Sequence, residues 1–156
     1  CRAHVLIVNG SPRLLSQVQR IQGFTNKIQE RFPEVCVVNT VVCNDNDYTA
    51  YDLVREELRK QPEIDLIYIV GEGICGTCNA ISEFQERKID VVCYDEVPHT
   101  RDLFEEGKIS ATICQQAYQQ GYNVIQQCFN WFIGASDQMQ NTVLLENIIK
   151  IRESFF

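Results

Sequence analysis

Unbroken apolar runs separated by stretches with helical spacing constrain this chain more than any other feature. Val5-Leu6-Ile7-Val8 lies within a strand-like 4–9, and 35–42, 65–70, 89–94 and 109–114 read the same way. Strands that stay apolar instead of alternating are buried on both faces, and the helices between them supply the cover. The pattern predicts an α/β fold: a doubly wound, mostly parallel sheet flanked by helices.

The intervening segments fit that expectation. Leu15 to Phe32 reads as an amphipathic helix with Val18, Ile21, Phe24 or Thr25, Ile28 and Phe32 inward, stopped by Pro33. After the polar loop Asn44-Asp45-Asn46-Asp47, a helix from about Thr49 to Lys60 buries Ala50, Leu53, Val54 and Leu58 and halts before Pro62. Gly71-Glu72-Gly73 leads into a helix running to about Glu86, and a short helix covers about Thr100–Glu106. A longer helix over 117–133 carries Tyr118, Tyr122, Ile125, Phe129 and Phe132 on one face, and Thr142–Ile151 reads as a last strand. No internal repeat, low-complexity tract or interdomain linker interrupts the series.

The 156 residues fit one domain, and 45% hydrophobic with 22% charged residues is the composition of a soluble globular protein. No run reaches the roughly 18 apolar residues of a spanning helix, so no membrane partner is expected. A formal net charge of −7 is the opposite of the basic footprint that direct nucleic-acid binding needs. Several of the eight cysteines sit in apolar runs, and buried free thiols fit a reducing, cytoplasmic compartment.

Candidate chemistry is sparse. Cys75-Gly-Thr-Cys78 opens a helix, where the backbone dipole favours thiolate and disulfide exchange. A redox site of the thioredoxin kind places that motif on an early strand–helix junction, so packing of small residues on the sheet is the preferred reading. Zinc needs further ligands, and the histidines are His4 and His99, the latter expected in a solvated loop. Gly71-Glu-Gly-Ile-Cys-Gly76 lacks the Lys-Ser/Thr of a phosphate loop; its glycines let the helix start approach the sheet, or turn its amides to a polar ligand. No Ser–His–acid set, carboxylate pair or metal triad assembles, so no catalytic residue, metal or cofactor is assigned.

What remains is a row of polar side chains where strands end. Val91-Val92-Cys93-Tyr94 closes on Asp95, and Ile109-Ser110-Ala111-Thr112-Ile113-Cys114 closes on Gln115. Open α/β sheets bind ligands at the carboxyl edge. Arg20, Asp45, Asn46, Asp95 and Gln115 form the candidate ligand site, because guanidinium, carboxylate and amide groups hydrogen-bond vicinal hydroxyls as a sugar site requires.

These residues carry a resemblance. Arg20-x-x-Gly23-Phe24, the Lys60-Gln-Pro62-Glu-Ile-Asp65 lead, Val91-Val-Cys-Tyr-Asp95 and Lys108-Ile-Ser-Ala-Thr-Ile-Cys-Gln115-Gln-Ala-Tyr118 resemble the effector-binding domain of LacI/GalR transcriptional regulators over about residues 3–135. The chain is similar, too, to the related periplasmic sugar-binding proteins. The resemblance implies a type I periplasmic-binding-protein-like fold in which two lobes clamp a small polar effector such as a sugar. Arg20 then matches a ligand-contacting arginine, Asp95 a ligand-binding aspartate and Gln115 a hinge glutamine. Crossings between lobes are expected near Asp95–Val97, near Gln115–Gln116 and within 137–147.

The same resemblance divides the chain into a C-terminal lobe (1–115), a segment that packs on an N-terminal lobe (116–140), and a return strand with tail (141–156). It implies a fragment of a longer, homodimeric regulator that reaches DNA only through a headpiece absent from this sequence. A transport binding protein is the alternative, and a thiol oxidoreductase a third reading. Two departures mark the chain: Val70-Gly71-Glu72-Gly73 stands where the family carries Asn-Asp, and Asn44-Asp45-Asn46-Asp47 replaces an aromatic platform. The first removes the family's ligand asparagine, and the second speaks against ordinary pyranose stacking and points to a more polar effector.

Overall fold

The structure is a computed structural model that describes residues 2–96 and 98–155. Its elements run β1 (Ala3–Asn9), α1 (Leu15–Arg31), β2 (Val35–Val42), α2 (Asp47–Lys60), β3 (Leu66–Ile69) and α3 (Ile74–Ile81). Then follow β4 (Asp90–Tyr94), α4 (Thr100–Glu105), β5 (Ala111–Cys114), α5 (Ala117–Phe132) and β6 (Ile148–Lys150). Among the described residues they form one sheet in the order β2-β1-β3-β4-β5-β6, parallel from β2 to β5, with β6 antiparallel at the edge. The predicted doubly wound, mostly parallel α/β fold is present.

The order of strands decides where the helices go. From β1 the chain moves outward through α1 to β2, then turns back past β1 to β3 and continues one way through β4 and β5. Right-handed crossovers put helices on opposite faces when the direction reverses. Accordingly Leu6, Val8, Ile67, Ile69, Val91 and Cys93 meet the helices α2, α3 and α4, through Val54, Leu58, Ile74 and Phe104 among others. The alternate residues Val5, Ile7, Tyr68 and Val70 meet Ile21 and Phe24 of α1. Each fully buried Leu or Ile contributes about 1.5–3 kcal/mol, so the larger cluster carries most of the apolar stabilisation.

Several elements differ from expectation for identifiable reasons. On α1, Gln17 and Ile28 are buried, Ile21 and Phe24 half-buried, and Val18 and Phe32 exposed, so the inward face is 17/21/24/28. Its first turn covers strand ends that carry polar backbone groups, and an amide serves there better than valine. The predicted start of α2 moves to Asp47, because Asn46 caps it by accepting from the Thr49 amide at 3.0 Å. Helix α3 ends at Ile81 rather than near Glu86. Past it the chain turns back, and Arg87 donates to the carbonyls of Leu58 and Ile64 at 3.0 and 2.6 Å.

The final strand shrinks from Thr142–Ile151 to Ile148–Lys150, since its partner β5 offers only Thr112–Cys114 for pairing. The aromatic face of α5 is laid open, with Tyr118 85% and Phe132 84% exposed beside Trp131 and Phe129. Among the described residues no helix is long and apolar enough to cross a membrane.

Candidate functional site

All the non-glycine residues with positive φ among the described residues stand in loops at the carboxyl edge of the sheet: Asn44 (54°), Asp45 (53°), Asp95 (62°) and Gln116 (56°). The left-handed region is disfavoured for side chains other than glycine, with Asn and Asp the best tolerated, and such strain gathers where surroundings over-determine a geometry. Of the five sequence-predicted ligand residues, two are in this set, Asp45 and Asp95.

Two groupings form along the edge. The first lies where β4 and β5 end. Gln115 Nε2 donates to Asp95 Oδ2 at 2.7 Å, while Thr112 Oγ1 donates to the Asp95 carbonyl at 2.7 Å and the Asp95 amide to the Ile113 carbonyl at 2.9 Å. Asp95 is therefore held at backbone and side chain together. The two residues open onto a hollow of about 310 Å³ shared with Glu96, Gln116, Tyr118 and Lys150. Across it the Lys150 ammonium pairs with Glu96, and Gln116 Nε2 donates to the Glu146 carbonyl at 2.7 Å. The expected crossings at Gln115–Gln116 and within 137–147 are thus neighbours in space; the one at Asp95–Val97 falls at Val97 outside the described residues.

The second grouping lies between β1 and β3, where the direction of winding reverses. Such a switch point splays the flanking helices onto opposite faces and leaves a crevice. Buried Gln17 accepts from the Ser11 amide at 2.7 Å and donates to Asp45 Oδ1 at 3.4 Å, and the same oxygen accepts from the Glu72 amide at 3.2 Å. A methyl group on Gly10 would stand 1.7 Å from that oxygen, so the carboxylate lies directly against the end of β1. Arg20 sits beside this grouping: Nη1 donates to the Val70 carbonyl at 2.7 Å and the guanidinium covers the Tyr94 ring at 3.8 Å.

The structure therefore brings Asp95 and Gln115 into contact, sets Arg20 against the residue before Asp95, and ties Asp45 to Gln17 of α1 and to the Glu72 amide beyond β3. Asn46 is spent on the α2 cap. Sequence reasoning missed Asn9, Gln17, Glu72 and Tyr94. Asn9 had a signal, since it closes an apolar run as Asp95 and Gln115 do. Gln17 had none, because a glutamine on an amphipathic helix reads as outward-facing.

Residues 2–135 match the model of the periplasmic binding protein domain. The chain belongs to that family. Among solved structures it is similar to a glucose-galactose binding protein from Geobacillus stearothermophilus, with 21% identity and a TM-score of 0.86 over 97% of this chain and 54% of that one. It is also similar to a carbohydrate transporter solute binding protein from Agrobacterium radiobacter in complex with D-arabinose (19%, TM-score 0.87, 99% of this chain and 52% of that one). A third is an ABC transporter periplasmic solute binding protein from Actinobacillus succinogenes with bound D-allose (20%, TM-score 0.85, 98% and 53%). At these identities the likeness establishes the fold. The periplasmic binding protein chain described here spans about half the length of these structures. No curated protein matches it.

The cysteines do not form a thiolate site. Burial pushes the Cys78 thiol up to about 12 and the Cys93 thiol up to about 11, and it raises Cys75 as well, with the charges of Asp47 and Glu72 adding to the effect. A thiol oxidoreductase needs the reverse shift. Among the described residues Cys43, Cys75, Cys78, Cys93, Cys114 and Cys128 are free, four of them buried as the apolar runs implied, whereas Cys36 is disulfide-bonded. The glycine-rich turn serves close packing: Gly73 (φ 98°) abuts Ala50 and Cys43, and the Gly76 amide donates to Asp47 Oδ1 at 2.8 Å. At pH 8 a thiol with a pKa of about 12 is thiolate on the order of 1 part in 10,000. An aromatic disulfide reagent is accordingly expected to label exposed Cys128 first and Cys78 and Cys93 only on unfolding; rapid labelling of Cys78 in the native protein would contradict the assignment.

Proposed function

We propose that this chain is the C-terminal lobe of a two-lobed protein that binds a sugar or a similar polyhydroxyl ligand, of the kind that serves transport. The observation that carries the reading is the Asp95–Gln115 hydrogen bond at the ends of β4 and β5, which presents a carboxylate and an amide in fixed orientation at the carboxyl edge. Carboxylate and amide groups so fixed grip adjacent hydroxyls from two directions. Arg20, laid on Tyr94, and Asp45 complete the lobe's share of the site. The sugars held by the similar solute binding proteins support this ligand class.

In this reading residues 1–115 form the lobe, 116–140 dock on the other lobe through the open aromatic face of α5, and 141–156 return to the sheet. Ligand closes the lobes by binding the closed state better than the open one. A second reading, the effector domain of a cytoplasmic, homodimeric LacI/GalR-type regulator, is favoured by the buried free thiols among the described residues, while bonded Cys36 favours the transport reading. A secretion signal or a helix-turn-helix headpiece encoded upstream separates the two.

The test is calorimetry of the two-lobed protein with D-allose, D-arabinose and D-galactose. Removing a hydrogen bond to a charged group costs about 1.5–3 kcal/mol, so Asp95→Ala is expected to weaken binding at least about tenfold. Gln115→Ala acts in the same direction. Unchanged affinity in Asp95→Ala removes Asp95 from the site, and failure of the sugars to bind the unaltered protein removes the sugar reading.

A further inference from the structure

Among the described residues the Arg20 guanidinium enters no ion pair. Its Nη1 donates to the Val70 carbonyl at 2.7 Å, and its central carbon stands 3.8 Å from the centre of the Tyr94 ring. These two neighbours hold it in different ways. A ring beneath a guanidinium fixes its plane and leaves the N–H groups around the rim open, whereas a hydrogen bond at one rim nitrogen stops rotation within that plane. A carboxylate in the same place would take two rim donors at once. Half-buried Arg20 keeps those donors and opens onto a hollow of about 540 Å³ that Ser16, Gln19 and Tyr94 also border.

Both supports are themselves fixed. Val70 is fully buried, and its amide donates to the Val8 carbonyl at 2.9 Å. Tyr68 Oη donates to Tyr94 Oη at 3.1 Å with the ring centres 6.0 Å apart, and the Tyr68 ring stacks on Phe24 at 4.3 Å and 23°. Phe24 lies four residues beyond Arg20 on α1, where side chains of that spacing share a face. The contacts therefore close a circuit from α1 to β4, across to β3 and back to α1. Burial, and then the bond to Tyr94, push the Tyr68 phenol above its ordinary value, so it stays neutral and remains a donor. Tyr94 is also the last residue of β4, and Asp95 follows it directly.

Resting on the sugar-binding reading above, we infer that Tyr94 is the positioning residue for Arg20, holding the guanidinium in a set plane so that its remaining N–H groups meet ligand hydroxyls already oriented. Tyr94 itself need not touch the ligand. Its contribution is the ordering of a long side chain before binding, which binding would otherwise have to supply.

The experiment is a double-mutant cycle on the two-lobed protein, read by calorimetry with D-allose, D-arabinose and D-galactose. Arg20→Met is expected to weaken binding about thirtyfold, the loss of hydrogen bonds to a charged group. Tyr94→Leu should weaken it about tenfold, and Tyr94→Phe, which keeps the ring face, should recover all but about threefold. In the Arg20→Met background Tyr94→Leu should cost less than about twofold more, because nothing is left to position. A merely structural role, such as a displaced Asp95, costs the same tenfold in either background. Tyr94→Met takes the place of Tyr94→Leu in the cycle if the latter does not fold. A second measurement needs no ligand: the Tyr94 ring should shift the Arg20 side-chain proton resonances upfield, a shift kept in Tyr94→Phe and lost in Tyr94→Leu or Tyr94→Met.

Additive losses in the cycle, or Arg20 resonances without a ring shift, overturn the inference and leave the sugar reading standing. Undiminished affinity in Arg20→Met does the same. Failure of all three sugars to bind the unaltered protein overturns the sugar reading and the inference with it.

Discussion

Phe104→Ala is expected to destabilise the fold by about 3–5 kcal/mol, measured as a lowered midpoint in urea unfolding at unchanged slope. Phe104 is the largest of the fully buried side chains, and it belongs to the cluster that joins the sheet to α2, α3 and α4. Helix α4 spans only Thr100–Glu105, too short to persist on its own propensity. It stays in place because Leu103 and Phe104 are buried, and without the ring the segment after Asp95 loses its anchor. A loss below about 1 kcal/mol would show that the site relaxes around the cavity and that α4 is held by something else.

Gly76→Ala is expected to cost about 3 kcal/mol, a large value for a single methyl group. The added carbon would lie 1.9 Å from the Asp47 carbonyl oxygen and 2.7 Å from its carbon, backbone atoms that cannot swing aside as a side chain does. Relief requires α2 and α3 to separate at their N-terminal ends, which also breaks the bond from the Gly76 amide to Asp47. Gly121→Ala supplies the contrast, because nothing lies within 4 Å of the added carbon and Gly121 occupies the interior of α5. There the same change should stabilise by up to about 1 kcal/mol through helix propensity. Equal effects at the two positions would mean that the α2–α3 contact is slack.

What could be read from the chain before the structure follows from the range of the forces involved. Unbroken apolar runs reported strands buried on both faces, and Pro33 and Pro62 reported helix ends, because these are local properties. The end of α3 was not local: Ser82 to Arg87 contain neither glycine nor proline, and the turn there is fixed by Arg87 reaching the carbonyls of Leu58 and Ile64. The same holds for β6, whose length is set by its partner. In the candidate site, Asp95 and Gln115 were legible as polar stops on apolar strands and meet as neighbouring strands require. Gln17 depends on what packs against it from Ser11 and Asp45, and no spacing rule encodes that.

The hydrogen bond from Gln116 to the Glu146 carbonyl, together with the antiparallel pairing of β5 and β6, means that the chain leaves the sheet and returns to it at one point. Viewed from the sheet, β5 and β6 are a hairpin whose turn has been replaced by residues 117–146. A segment whose entry and exit coincide can be lengthened, exchanged or excised without moving the strands that frame it, as domain insertions are. The face that α5 presents is therefore free to diverge to suit a new neighbour, while the edge that carries Asp95 and Gln115 stays fixed.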